Sequence, residues 1–209
     1  MKKMMVVAAV ALLSMMAQAN MITNNPEFDG VAWQYTVPGW GVWADGVFDG
    51  GGGSGGSLAL GWSDGKVVWQ AAEHLVQADT VYTLSAVVQT RPDDGGQAEG
   101  GQLIIQDADA GWTDVIRQDF WFSDLGDTYG AAGKWRTVSI QMDSAVYTST
   151  VGHKLGVAIA LREDGRWNVG NPDTDPYGFL YVDSMTLVPE PATMALLGLG
   201  ALVSLRKRK

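Results

Sequence analysis

The chain contains no cysteine and only two histidines, His74 and His153, in 209 residues. Thiol catalysis, thiolate zinc sites and disulfide frameworks are therefore excluded. Imidazole triads and multi-histidine metal centres have almost nothing to draw on. Positive charge is also scarce. Fourteen Lys and Arg stand against 23 Asp and Glu, and six of the 14 lie at the extremities: Lys2, Lys3, Arg206, Lys207, Arg208 and Lys209. Residues 20–189 hold 8 basic and 22 acidic residues, a net of −14. A body that acidic repels phosphate backbones and anionic headgroups, which argues against nucleic acid as a partner. No apolar run reaches the ~20 residues of a comfortable membrane-spanning helix.

What is present at the two ends reads as addressing. Lys2 and Lys3 precede an almost unbroken apolar run from Met4 to Met16, and Ala17-Gln18-Ala19 supplies the small-x-small site of a signal peptidase. Residues 1–19 are thus expected to form a signal-peptide helix, with the mature chain starting near Asn20 outside the cytoplasm. At the other end, Pro189-Glu190-Pro191 is followed by an apolar stretch rich in Ala, Leu and Gly, then by Arg206-Lys207-Arg208-Lys209. From Ala192 to Leu205 is 14 residues, or ~21 Å of helix, short of the ~30 Å hydrocarbon core. A transient anchor fits such a helix, with the basic block left on the cytoplasmic side. These three parts, in this order, closely resemble the PEP-CTERM sorting signal. The resemblance covers 188–209. It implies a membrane-tethered intermediate, handling by an exosortase-type enzyme, and delivery to the surface or extracellular matrix of a Gram-negative bacterium alongside exopolysaccharide.

Between the addresses, glycine (27 in the chain) and the absence of helical period disfavour long helices. Alternation recurs instead: Tyr82, Leu84, Ala86 and Val88; Val138, Ile140 and Met142; Leu155, Val157, Ile159 and Leu161. Period two means strands with one face on a core. Further strands are expected at 21–25, 39–44, 58–62, 66–70, 102–107, 113–122 and 179–188. Ser63-Asp64-Gly65 predicts a hairpin over 58–70. The glycine-rich segments 49–56 and 91–101 are expected to be surface loops. About ten short strands make residues 20–187 one all-β domain, an antiparallel β-sandwich of jelly-roll type. Asn24-Asn25-Pro26-Glu27-Phe28-Asp29-Gly30, Pro38-Gly39-Trp40, Val81-Tyr82-Thr83-Leu84-Ser85-Ala86 and Tyr181-Val182-Asp183-Ser184-Met185-Thr186-Leu187 resemble, in order, segments of the galactose-binding-like jelly rolls that include carbohydrate-binding modules.

That resemblance implies a structural calcium tying the first and last strands together. Glu27, Asp29 and Asp183 are its candidate ligands here. Asp183 shares strict strand parity with Phe179, Tyr181, Met185 and Leu187, so it is expected toward the core, where a carboxylate needs a partner. The other reading of Asp183 is an acceptor of backbone hydrogen bonds at a strand end. Asp107-Ala108-Asp109-Ala110-Gly111 begins like a calcium loop, but Trp112 stands where that loop needs glycine, and Gln118 where it needs a bidentate glutamate. Its aspartates read as turn residues in water.

Nine tryptophans are the other asset. Trp62 and Trp69, inside the expected hairpin, read as core. Trp40, Trp43, Trp112 and Trp167 adjoin Gly, Asp or Asn turns, where an exposed indole offers a flat platform to a pyranose. Asp45 beside Trp43, and Arg166 and Asn168 beside Trp167, would bond its hydroxyls. The competing reading packs these indoles under loops. Catalysis has no comparable support. No spacing singles out a carboxylate pair for glycoside hydrolysis, and Gly52-Gly53-Ser54-Gly55-Gly56 lacks the strand–turn–helix setting of a nucleophile elbow. The expectation is a non-catalytic, exported polysaccharide-binding protein. A structural matrix protein without a glycan site, and an unrecognised glycoside hydrolase, are the alternatives.

Overall fold

Alternation of buried and open residues carries the architecture. In β5 (Val81–Thr90) every second side chain from Tyr82 to Thr90 is buried, and the intervening ones are half-open. The computed structural model describes residues 20–22, 28, 37, 39–43, 47–49, 58–60, 67–90, 97–162 and 178–190. Before β5 come β1 (Gly41–Trp43), β2 (Val47–Asp49), β3 (Leu58–Leu60) and β4 (Val67–Leu75). After it follow β6 (Gly100–Asp107), β7 (Thr113–Trp121), β8 (Arg136–Asp143), β9 (Lys154–Arg162) and β10 (Leu180–Pro189). Among the described residues the one helical element is a 3-10 turn, Thr148–Thr150. The expected signal helix and C-terminal apolar helix lie outside the described residues.

Among the described residues two five-stranded antiparallel sheets result. Sheet I has the order β1-β4-β9-β6-β7 and sheet II the order β2-β3-β10-β5-β8. One apolar cluster joins them: Val68, Leu103, Ile105, Val157 and Ile159 from sheet I meet Leu84, Val88, Ile140, Val182 and Leu187 from sheet II. Only β2–β3 and β6–β7 are consecutive neighbours within a sheet, and the other connections cross between sheets. The wrapping ties sequence-distant strands together, as in Greek-key sandwiches.

Several local expectations are corrected. Segment 58–70 is not a hairpin. β3 sits between β2 and β10 in sheet II, while β4 sits between β1 and β9 in sheet I. Each strand has both edges occupied by other partners, so the two cannot pair. Gly100 and Gly101 are strand residues of β6, not loop. The Phe120 and Trp121 rings lie where a Cβ would stand, so only glycine fits there. Met21 and Ile22 are not in a strand, though the Met21 N–H donates to the Leu187 carbonyl at 2.7 Å. Asp183 does not share the inward parity of Met185. The register of β10 shifts between Val182 and Ser184, so Val182 pairs with Val88 and Ser184 with Val87. This bulge leaves Asp183 half-buried while Val182 and Met185 both reach the core.

Candidate functional site

The outer face of sheet I gathers the chemistry. Residues with the parity opposite to the core line up across it in rows fixed by register. One row runs Gly41, Trp69, Ala158, Ile104, Arg117. The next runs Trp43, Val67, Ala160, Gln102, Asp119. A third runs Ala71, Gly156, Gln106, Asp114. The middle strand β9 therefore contributes a floor of Gly156, Ala158 and Ala160, small residues over which larger groups can lie. Indoles do so from two sides. The Trp69 ring lies over Gly41 and the Trp112 ring over Gly156, and neither glycine has room for a Cβ.

Polar groups border this floor in fixed pairs. Gln102 Nε2 donates to Asp119 Oδ1 at 2.6 Å, and Arg162 Nε stands 3.7 Å from the same oxygen. Gln106 Nε2 donates to Asp114 Oδ1 at 2.9 Å, and Arg117 forms an ion pair with the other oxygen of Asp114 at 2.9 Å. Amide, carboxylate and guanidinium held by one another present directed donors and acceptors at low entropic cost.

Trp112 is 38% exposed. It holds φ at +62°, next to Gly111 at +73°, an unusual conformation for so bulky a residue. The turn that carries it is clamped. The Trp112 N–H donates to the Asp107 carbonyl at 2.9 Å. Asp107 is buried; its Oδ1 accepts from the Ala110 N–H at 3.0 Å and its Oδ2 contacts His153 Nδ1 at 2.7 Å. Asp109 accepts from the Lys154 N–H at 2.8 Å. These aspartates organise the turn, and the expectation of water around Asp107 is corrected to burial against protein donors. The hydrogen bond to Asp107 raises the His153 pKa above 6.5; burial opposes the rise, and the charges of Asp107 and Asp109 add to it.

The other expected site residues fall elsewhere. Trp40 is 7% exposed, with its ring 4.9 Å from that of Phe28 in the core. It offers no face to a sugar, because the turn at Gly39 folds it inward. Trp43 is a β1 residue paired with Val67. Asp45, Arg166, Trp167 and Asn168 lie outside the described residues, as do Glu27 and Asp29. Among the described residues no three acidic or imidazole groups are placed to hold a metal ion. Trp69, read as core, belongs to the outer face. It alternates with Val68, a core residue, and that parity was open to reading. Likewise Gln102 and Gln106 alternate with Leu103 and Ile105, but nothing local says which strands flank them.

The end of β10 forms a second functional region. The strand continues past Leu187 to Pro189, which pairs with Tyr82. The Glu190 N–H donates to the Val81 carbonyl at 2.7 Å. Its Oε1 accepts from Thr83 Oγ1 at 2.7 Å and from Gln141 Nε2 at 2.6 Å. A protein-family model for the PEP-CTERM protein-sorting motif matches residues 187–209. Those residues are a PEP-CTERM protein-sorting motif. The motif marks an exported chain processed at the membrane by an exosortase-type enzyme. Its first three residues are thus also strand residues of the folded domain.

A search of curated proteins finds no match to the chain. Among solved structures, a cyclase from Fischerella sp. TAU is similar at 13% identity over 83% of this chain and 98% of its own, with a TM-score of 0.55. A CBM4 structure is similar at 16% identity over 80% and 99%, with a TM-score of 0.48. The CBM22-1 xylan-binding domain from Paenibacillus barcinonensis Xyn10C is similar at 14% identity over 83% and 96%, with a TM-score of 0.45. The likeness to the cyclase shows a shared fold, and a fold carries no chemistry of its own.

Proposed function

We propose that this is an exported, non-catalytic protein that binds polysaccharide on the outer face of sheet I, within the surface or matrix of a Gram-negative envelope. The observation that carries the reading is Trp112, an exposed indole kept in a strained backbone conformation by a clamped turn beside a floor of small residues and paired polar groups. Strain of this kind persists where surroundings over-determine it and clusters at ligand-binding sites. A pyranose stacks its C–H face on an indole, and the Gln102–Asp119–Arg162 and Gln106–Asp114–Arg117 groups suit its hydroxyls. A glycan array with the secreted protein tests the reading. Binding to at least one polysaccharide is expected, reduced about tenfold or more, ~1.4 kcal/mol, by Trp112→Ala. Absence of binding to every polysaccharide defeats it.

The acidic body supports a second reading, a structural matrix protein that gathers divalent cations. Within either reading, calcium held by Glu27, Asp29 and Asp183 is a proposal resting on oxygen-only donors. A native-state ligand at a hundred times its Kd stabilises by ~2.7 kcal/mol. Thermal unfolding with calcium and with chelator is therefore expected to differ by several degrees, and coincident transitions remove the metal.

A further inference from the structure

We propose that Thr83 and Gln141 are positioning residues for processing: they hold the glutamate of the sorting motif against the folded domain, and the enzyme reaches it only when the end of β10 opens. The register makes the case. Val188, Thr83 and Gln141 form one cross-strand row on the outer face of sheet II. Glu190 lies two residues beyond Val188 and so returns to the same face. There one carboxylate oxygen accepts both the Thr83 hydroxyl at 2.7 Å and the Gln141 amide at 2.6 Å. Gln141 Nε2 also reaches Thr83 Oγ1 at 3.3 Å, which ties the two donors together.

The backbone is engaged as well. The Glu190 N–H continues the β5–β10 ladder by donating to Val81 at 2.7 Å. On the other edge of β10 Asn20 and Met21 close in. Asn20 Oδ1 accepts from the Leu187 N–H at 2.9 Å, and the Met21 N–H donates to the Leu187 carbonyl at 2.7 Å. β10 is therefore held by Asn20 and Met21 on one edge at Leu187 and by β5 on the other edge at Glu190. Any enzyme that reads this glutamate by its charge and its extended backbone must use atoms the domain already uses, so the two modes exclude each other. Release requires only the last residues of β10 to fray, with Leu187 and the core left in place. The inference is independent of what the outer face of sheet I binds.

Pulse–chase of the full chain in an exosortase-bearing Gram-negative host tests it, following conversion of membrane precursor to processed product. Thr83→Val and Gln141→Leu are each expected to shorten the precursor half-life, together by about tenfold, since both remove a hydrogen bond to a charged acceptor. Thr83→Ser keeps the hydroxyl and is expected to process at the wild-type rate. Amide hydrogen exchange on the detergent-solubilised precursor supplies the second readout. Exchange at Glu190 is expected to accelerate in the Val and Leu variants while exchange at Leu187 is unchanged. Should the double variant lose protection at Leu187, the Thr83→Val and Thr83→Ser pair decides by the same comparison. Unchanged or slower processing despite faster Glu190 exchange overturns the proposal, as does an unprotected Glu190 amide in the wild type.

Discussion

Single residues decide how this surface behaves, and His153 shows how. Its bond to the buried Asp107 holds the base of the turn that presents Trp112. The bond raises the pKa of the imidazole from 6.5, so the contribution is complete below pH 6.5 and is lost as pH rises through the folded value. Tm is expected to fall over that window in the wild type and to stay flatter in His153→Asn, measured by thermal unfolding at stepped pH. The effect is small, because the His153 side chain is 42% exposed. Identical pH profiles contradict the link. Trp112 and Trp40 show the limit of a local rule: both adjoin glycine, yet one is exposed and the other is core. The difference lies in which strand each turn joins.

At the scale of elements, the strong alternations were legible. β5, β8 and β9 follow the spacing of their apolar residues because each has one face on the core. The failures have physical causes. β2 and β3 are three-residue strands, too short to show a period, and the pairing of β3 with the distant β10 is set by wrapping. Asp183 was misplaced because a bulge adds one residue without leaving a mark in composition. The glycines of β6 looked like loop because their purpose is to admit aromatic rings from β7. Gly100→Ala would drive a Cβ into the Phe120 carbonyl, backbone that cannot step aside. A loss of about 3 kcal/mol is expected, read by chemical denaturation, whereas a neutral result would mean β7 is not seated against β6. β10 allows a second test. A chain ending at Glu190 is expected to exceed one ending at Leu187 by about 2 kcal/mol, from the carboxylate and ladder bonds that the shorter chain lacks. Equal stabilities contradict the grip on Glu190.

For the whole molecule, the C-terminal sorting motif was the clearest part of the sequence, and the sandwich came next. The candidate site was legible only in pieces: Trp112 by its turn, but not Trp69, Gln102 or Asp119, which meet because β4, β9, β6 and β7 become neighbours. A site assembled from four strands is a property of topology. The whole molecule also keeps two groups of residues apart, with indoles and polar groups on the outer face of sheet I and the sorting glutamate on that of sheet II. The direct measurement of the proposed division is an amide chemical-shift map of the secreted protein titrated with the soluble polysaccharides of the glycan array. Shifts are expected at Trp112, Gly156, Gln102, Gln106 and Asp119, with Ser85, Thr137 and Ser139 on sheet II unmoved. Shifts confined to sheet II, or spread evenly over both faces, would contradict the account.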